Sequence, residues 1–504
     1  MNLAFSGTSG IVILVVYAVL MLLLGFVAGR DAPEANKSLN GYFLAGRDLG
    51  LVALFFTLYA TQYSGNTIIG YAPTAYRSGL SWWMSVPFMT AVVVAYLLFA
   101  PRLYMIARRH EFITPIDWIH YRFRSKALAA VVTFLLLWGL GNYLLEQLVA
   151  MGQAIAGLTG NTVPYQVGVV GFLVVMLTYS WVGGMRAVAL TDVMQGIALL
   201  VGVLALMLGA VYLAGGSLGA VTDELIRSEP AKMGVPDAAG VTGWLGMIVM
   251  VGLAAAMYPH AIQRVYAASS ERTLRRSLAG MAWMPLVTTG FVFFIGIIAL
   301  ALYPDLDEAA SEQIVGRLAN DVAALNPLMY VLMIILFGGV VAAIVSTADS
   351  ALLAFGSMVS RDVYAPTLGK DASEARQVKV GKVVSVVAVG LLLILAWNPP
   401  GTLYQIFLLK LELLAQIAPA FILGLYWRRM SAVAVLAGVV AGAGLSGYLT
   451  IIGHDSPTGL PNGLLGLGLN LLLCIVLSIA MPDRATPELR PLRQPATSGA
   501  REVR

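Results

Sequence analysis

The chain has one cysteine in 504 residues, Cys474 inside an apolar segment, so no disulfide can form within it and no Cys-based metal site is possible. Charge is also scarce: Asp, Glu, Lys and Arg make up 11%, against roughly 25% in a soluble domain. There is no GxxxxGK[ST] phosphate loop, because Gly369-Lys370 runs into Asp371 and Gly381-Lys382 into Val383. ATP-driven transport within the chain therefore has no support. The absence of HExxH argues against a zinc membrane protease. Thr67-Ile68-Ile69-Gly70-Tyr71 resembles a potassium filter only loosely, and it occurs once, without a fourfold pore. No enzyme chemistry and no organic cofactor are expected.

Hydrophobicity is what the chain has in excess, at 59% apolar residues and a mean hydropathy of +0.83. Only a membrane accommodates that much, so the expected class is an all-α polytopic membrane protein in contact with the lipid bilayer. Runs long enough to cross a core of about 30 Å lie at 10–28, 51–76, 82–105, 127–157, 163–183, 188–214 and 242–262. Six more lie at 277–303, 327–360, 380–397, 402–427, 431–452 and 461–482, making thirteen helices. The first is expected to be a span and not a signal peptide, since no basic region or small-residue cleavage site accompanies it.

Of the 31 Lys and Arg residues, 26 fall in the tail or in loops after odd-numbered helices, with their helix edges. Four face the other way, Arg77, Arg227, Lys232 and Arg317, and Lys410 lies inside a helix. The positive-inside rule then places the N-terminus outside and the C-terminus in the cytoplasm, in the bacterial inner (plasma) membrane. The formal charge of +5 is therefore a topology signal and not a nucleic-acid surface. Residues 1–482 are expected to form a single transmembrane domain, with 483–504 a disordered cytoplasmic tail.

Polar residues interrupt this pattern at a few places. Helix 9 carries Ser346-Thr347-Ala348-Asp349-Ser350, and helical spacing lines up Ala343, Ser346, Thr347, Asp349 and Ser350 as one stripe of oxygen atoms. Such a stripe suits a hard cation; hydroxyls alone would equally serve as glue between helices. In helix 2 the run from Ala60 to Thr67 places Gly65 among polar residues at mid-span, and backbone freed there survives only if it lines a cavity or binds something. Helix 7 contains Tyr258-Pro259-His260, which reads as a second break, or as a simple kink. Two broken helices at corresponding positions of two halves point to a midplane transport site. Asp192 reads either as a helix cap or as an ion relay. Lys410 could meet a substrate carboxylate or neutralise an acid such as Glu146, and His260 could bind solute, shuttle protons or simply pack.

Several stretches together resemble the sodium:solute symporter family. They are Tyr42–Arg47, Gly183–Val188 leading into Thr191–Gln195, Pro259–Arg264 with Ala267-Ala268, the Ser346-Thr347 pair, and Gly424–Arg429. The resemblance runs from about residue 10 to 482. It implies a LeuT-type core of two inverted five-helix repeats, helices 2–6 (51–214) and 7–11 (242–427), with helix 1 (10–28) and helices 12 and 13 (431–482) peripheral. It implies sodium held by the carbonyls of Ala60, Tyr63 and Ala343 and the hydroxyls of Ser346 and Thr347. A second cation or proton site would use Asp192, Asp349 and Ser350, although Asp349 stands where such members carry a hydroxyl. Gln62, Ser64, Asn66, Asn142, Gln147, Tyr258, His260, Gln405 and Gln416 are candidates to face the solute. The expected activity is sodium-coupled symport of a small organic solute, such as an amino acid, a monocarboxylate or pantothenate, by a monomer or weak oligomer. A proton-coupled symporter and a transporter-like solute sensor are the alternatives.

Overall fold

A computed structural model describes residues 7–30, 38–399, 401–454 and 456–483. Among these residues every regular element is helical, apart from a single parallel bridge between Leu49 and Ala268. Ten helices among the described residues are long and apolar enough to cross a membrane, and three shorter apolar ones are Thr8–Leu20, Leu51–Gln62 and Tyr165–Val175. Their outer faces are oily, with Phe134, Leu391, Ile394 and Ile479 exposed, whereas Thr57, Gln147, Asp192, Ser346 and Asp349 are buried inside. Lipid favours this arrangement, because a carboxylate facing it costs roughly 3 kcal/mol or more.

The Pro327–Met358 helix is the central post. Asn326 caps it by accepting from the Met329 amide at 3.0 Å, and Pro327 occupies the first turn, where no amide is needed. Its 32 residues rise about 48 Å. It packs against the Lys126–Leu158, Tyr165–Leu213 and Glu374–Trp397 helices.

Both expected breaks are present. The Leu51–Gln62 helix stops at Tyr63, whose φ/ψ of −107°/79° leaves the helical region, and Ser64 then starts Gly65–Ile69 by accepting from the Asn66 amide. Gly65 is required here: a Cβ on it would lie 1.8 Å from Ile344 Cγ1, so the break presses directly on the post. The second break separates Ala238–Ala256 from Pro259–Ala267. Pro259 initiates the second piece and does not merely kink a continuous helix. At Gly184, with φ +59°, the long Tyr165–Leu213 stretch divides near the expected boundary between helices 5 and 6.

Some expectations need correction. The segments between the expected spans at 215–241 and 304–326 contain helices of their own, Leu218–Ser228, Pro230–Met233, Glu308–Ser311 and Ile314–Ala323. The apolar stripe of Ile314, Val315, Leu318, Ala319 and Val322 is buried, and the 10-residue helix that carries it, about 15 Å long, is too short to span a membrane. Asp483, assigned to the tail, belongs to the ordered part: its amide donates to the Arg429 carbonyl at 3.1 Å, and its carboxylate pairs with Arg122 at 3.4 Å. The rest of the expected tail, 484–504, lies outside the described residues.

Candidate functional site

Where the Leu51–Gln62 helix ends, its last carbonyls lose their ladder partners, and side chains from other helices meet them. The Thr347 hydroxyl donates to the Ala60 carbonyl at 2.9 Å, where a continued helix would have supplied the Ser64 amide. The Tyr143 hydroxyl donates to the Thr61 carbonyl, also at 2.9 Å, and lies within interaction range of the Ser64 and Thr347 hydroxyls. Ala343 and Ser346 are buried on the same post, and Tyr63, stacked on Tyr59 at 4.8 Å, completes the break. Of the five expected sodium residues, Ala60 and Thr347 are in contact, and Tyr63, Ala343 and Ser346 are buried on the same two segments of chain. That expected set, all oxygen and all neutral, fits a weakly held monovalent cation.

Beside this set, Asp192 accepts from the hydroxyls of both Thr57 and Ser346 and pairs with Arg264 at 3.8 Å. It is no helix cap, since it lies about two turns past Gly184 and is fully buried. Arg264 is bonded on every side. Its Nε donates to the Thr57 carbonyl at 3.1 Å and hydroxyl at 2.8 Å, its Nη1 to the His260 carbonyl at 3.0 Å, and its Nη2 to the Ser350 hydroxyl. Asp192 and Ser350, two members of the expected second site, are thus bridged by an internal guanidinium. Asp349 is buried nearby, within electrostatic reach of Asp192.

On the opposite side of Tyr143, its ring stacks with Tyr258 at 4.9 Å and with His260 at 5.0 Å. Both His260 nitrogens, Asn66 Oδ1, Asn142 Oδ1 and Gln147 Oε1 are buried without hydrogen-bond partners. Lys410, fully buried, pairs with Glu146. Tyr143, Tyr258, His260 and the Lys410–Glu146 pair form one cluster, and Asn142 and Gln147 lie on the same helix segment as Tyr143 and Glu146. Other solute candidates have different partners: Gln62 donates to the Tyr96 hydroxyl at 2.6 Å, and Ser64 is the cap already described. Gln416 ties its helix to the Gly463 carbonyl and Asn470, away from the cluster. Gln405 is exposed and completes a capping box with Thr402. Nearby, a cavity of about 320 Å³ is lined by Glu312, Thr402 and Gln405 among others. Burial pushes the Glu312 carboxyl up from its ordinary value, and Arg77 at 2.8 Å opposes that shift.

The model of the sodium:solute symporter family matches residues 42–442, most of the chain. The chain belongs to the sodium:solute symporter family. The sodium/pantothenate symporter of Escherichia coli (strain K12) is 26% identical, over 88% of this chain and 91% of that protein. The high-affinity proline transporter PutP of Bacillus subtilis (strain 168) is 27% identical, over 84% of this chain and 88% of its own. Among solved structures, a Na+-coupled sialic acid symporter in a substrate-bound outward-open state superposes with a TM-score of 0.76 at 16% identity, covering 94% of this chain and 99% of that one. MhsT in complex with L-phenylalanine superposes at 0.52 and 14% identity, covering 86% and 99%. The fold of this symporter is therefore LeuT-like, and the family is one of transporters and not enzymes. Membership and fold together support sodium-coupled symport by a multi-pass membrane protein.

Sequence reasoning singled out neither Arg264 nor Tyr143 in this symporter. Arg264 had a readable signal, as the last residue of the quoted Pro259–Arg264 stretch in an otherwise apolar region. Tyr143 had none, because an aromatic residue in a membrane helix looks like packing. Other basic residues in or near the quoted stretches collect carbonyls at helix ends. Arg47 donates to the Phe112 carbonyl at 2.7 Å, and Arg122 gathers the Gly424, Trp427, Arg428 and Met430 carbonyls.

Proposed function

We propose that this symporter takes up a small organic solute together with sodium by alternating access. Sodium lies between the break at Ala60–Tyr63 and the stripe of Ala343, Ser346 and Thr347. The observation that carries this reading is the Thr347 hydroxyl on the freed Ala60 carbonyl, because a cation inserted there would tie the two helices together more strongly than that hydrogen bond. Both ligands must favour the same occluded state for their movements to be linked. One charge crossing 100 mV contributes about 2.3 kcal/mol, and a tenfold sodium gradient adds about 1.4 kcal/mol. For an uncharged or zwitterionic solute, one sodium then supports accumulation of roughly several hundredfold.

The reading includes thirteen spans, with the three shorter apolar helices standing first, second and fifth, and repeats over 51–214 and 242–427. It places the N-terminus outside and the C-terminus in the cytoplasm of the bacterial inner membrane, in a monomer or weak oligomer. Solutes of the relatives suggest an amino acid, a monocarboxylate or pantothenate. The test is uptake of labelled L-proline, pantothenate and propionate into proteoliposomes under a sodium gradient, with binding of ²²Na⁺ measured alongside. Ser346→Ala with Thr347→Ala is expected to abolish both signals while the protein stays folded in the membrane; unchanged sodium dependence would falsify the site. Proton coupling is the second reading, favoured by the burial of Asp349 near Asp192, and replacing sodium by choline at fixed pH separates the two.

A further inference from the structure

The Lys410–Glu146 pair is a strongly ionic feature of the core that the sodium reading leaves unused. Both side chains are almost completely removed from solvent, at 0% and 1% exposure. A buried pair of this kind is weak evidence for stability, because apolar residues of similar volume often serve as well or better. Its surroundings point to a use. Lys410 Nζ sits 4.3 Å from the Tyr143 ring centre, 5.0 Å from that of Phe407 and 5.8 Å from that of Tyr258. Aromatic faces attract a cation but accept no conventional hydrogen bond, so the ammonium has a carboxylate on one side and soft, replaceable contacts elsewhere.

The position of the pair is equally pointed. Glu146 follows Asn142 and Tyr143 by one turn and adjoins Gln147, so the ion pair and the unpartnered oxygens of Asn142 and Gln147 lie on one segment of the Lys126–Leu158 helix. Tyr143 presents its face to Lys410 and its hydroxyl to the break at Thr61. A single side chain therefore spans the distance from the proposed sodium site to the ammonium.

We propose that the transported solute carries a carboxylate, that Lys410 receives it, and that Glu146 occupies the ammonium until the solute arrives. This rests on the sodium-symport reading above. A second carboxylate entering the Lys410–Glu146 pair brings an uncompensated negative charge into a dry site, which is costly. Sodium at Ala60 and Thr347, one tyrosine away, offsets that charge, so the anion binds well only when the cation is present. A monoanion carried with one sodium also makes a cargo without net charge.

The test uses the full-length protein in proteoliposomes, with labelled propionate, pantothenate, L-proline and glucose as probes and ²²Na⁺ binding as the control. At least one of the three carboxylates is expected to be taken up, glucose is not, and the primary amide of the transported acid fails to compete. Lys410→Gln should raise the half-saturating concentration of the acid about a hundredfold or more. Since that variant leaves Glu146 buried and unpaired, the double variant E146Q/K410Q decides the matter: it removes both charges together. It is expected to stay folded and bind ²²Na⁺ while losing carboxylate uptake. Carboxylate uptake retained by the folded double variant shows the pair to be structural and overturns the proposal. So does glucose uptake by the unmodified protein, or uptake of none of the three acids. Loss of ²²Na⁺ binding in the unmodified protein would instead sink the sodium reading itself.

Discussion

Two buried ion pairs flank the break in the Leu51–Gln62 helix, and they are built differently. Arg264–Asp192 is saturated: the guanidinium donates to Thr57, His260 and Ser350, and the carboxylate accepts from Thr57 and Ser346. Lys410–Glu146 is sparse, with three aromatic rings within 6 Å of the ammonium. A charge-assisted network spanning four helices fixes geometry, because every member holds the others in place. A pair packed mainly against rings can change partner at lower cost. The first pair therefore reads as scaffold for the cation side, and the second as an exchangeable contact on the solute side.

The largest effect that would sharpen this contrast is expected from Arg264→Gln. It strands Asp192 in the core and should destabilise the protein by about 3–5 kcal/mol, seen as a lower melting temperature in detergent. Combining it with Asp192→Asn should recover much of that stability. If Arg264→Gln melts no earlier than E146Q/K410Q, the distinction between scaffold and exchangeable pair fails.

A smaller effect is expected from Tyr143→Phe, which keeps the ring over Lys410 but removes the hydroxyl from the Thr61 carbonyl. Losing one such hydrogen bond corresponds to about 1 kcal/mol, or roughly fivefold. The expected readout is specific: sodium should enhance solute affinity less, while solute affinity measured without sodium stays the same. An equal loss with and without sodium would make Tyr143 a plain binding residue.

The smallest effect concerns Gln405, which sequence reasoning grouped with the solute candidates. Gln405→Ala removes one arm of a capping box, which should lower stability by about 0.5–1 kcal/mol and leave the half-saturating solute concentration unchanged. A tenfold rise in that concentration would return Gln405 to the solute path.

These residues also show where sequence reasoning succeeded and where it stopped. The breaks at Ala60–Thr67 and Tyr258-Pro259-His260 were legible because polar runs, mid-span glycine and proline are costly in an apolar helix, whatever surrounds them. The hydroxyl stripe was legible because helical period alone puts Ser346, Thr347 and Ser350 near one face. Gln405 and Gln416 have partners of their own, which the sequence could not show, because an amide in a membrane segment looks the same whether it caps its own helix, ties two helices together or faces a solute. Asp192 could not be assigned between cap and relay because its partners come from three other helices.

By itself, then, the sequence determined that this is a helical membrane protein, which helices break, and which residues carry oxygen and charge at depth. Those are local consequences of composition, period and the cost of polar groups in lipid. Which charge meets which was decided only by the tertiary structure: Arg264 with Asp192, Lys410 with Glu146, Tyr143 between the two sides. Contacts separated by scores to hundreds of residues leave no periodic trace in the chain, because they depend on how separate helices pack.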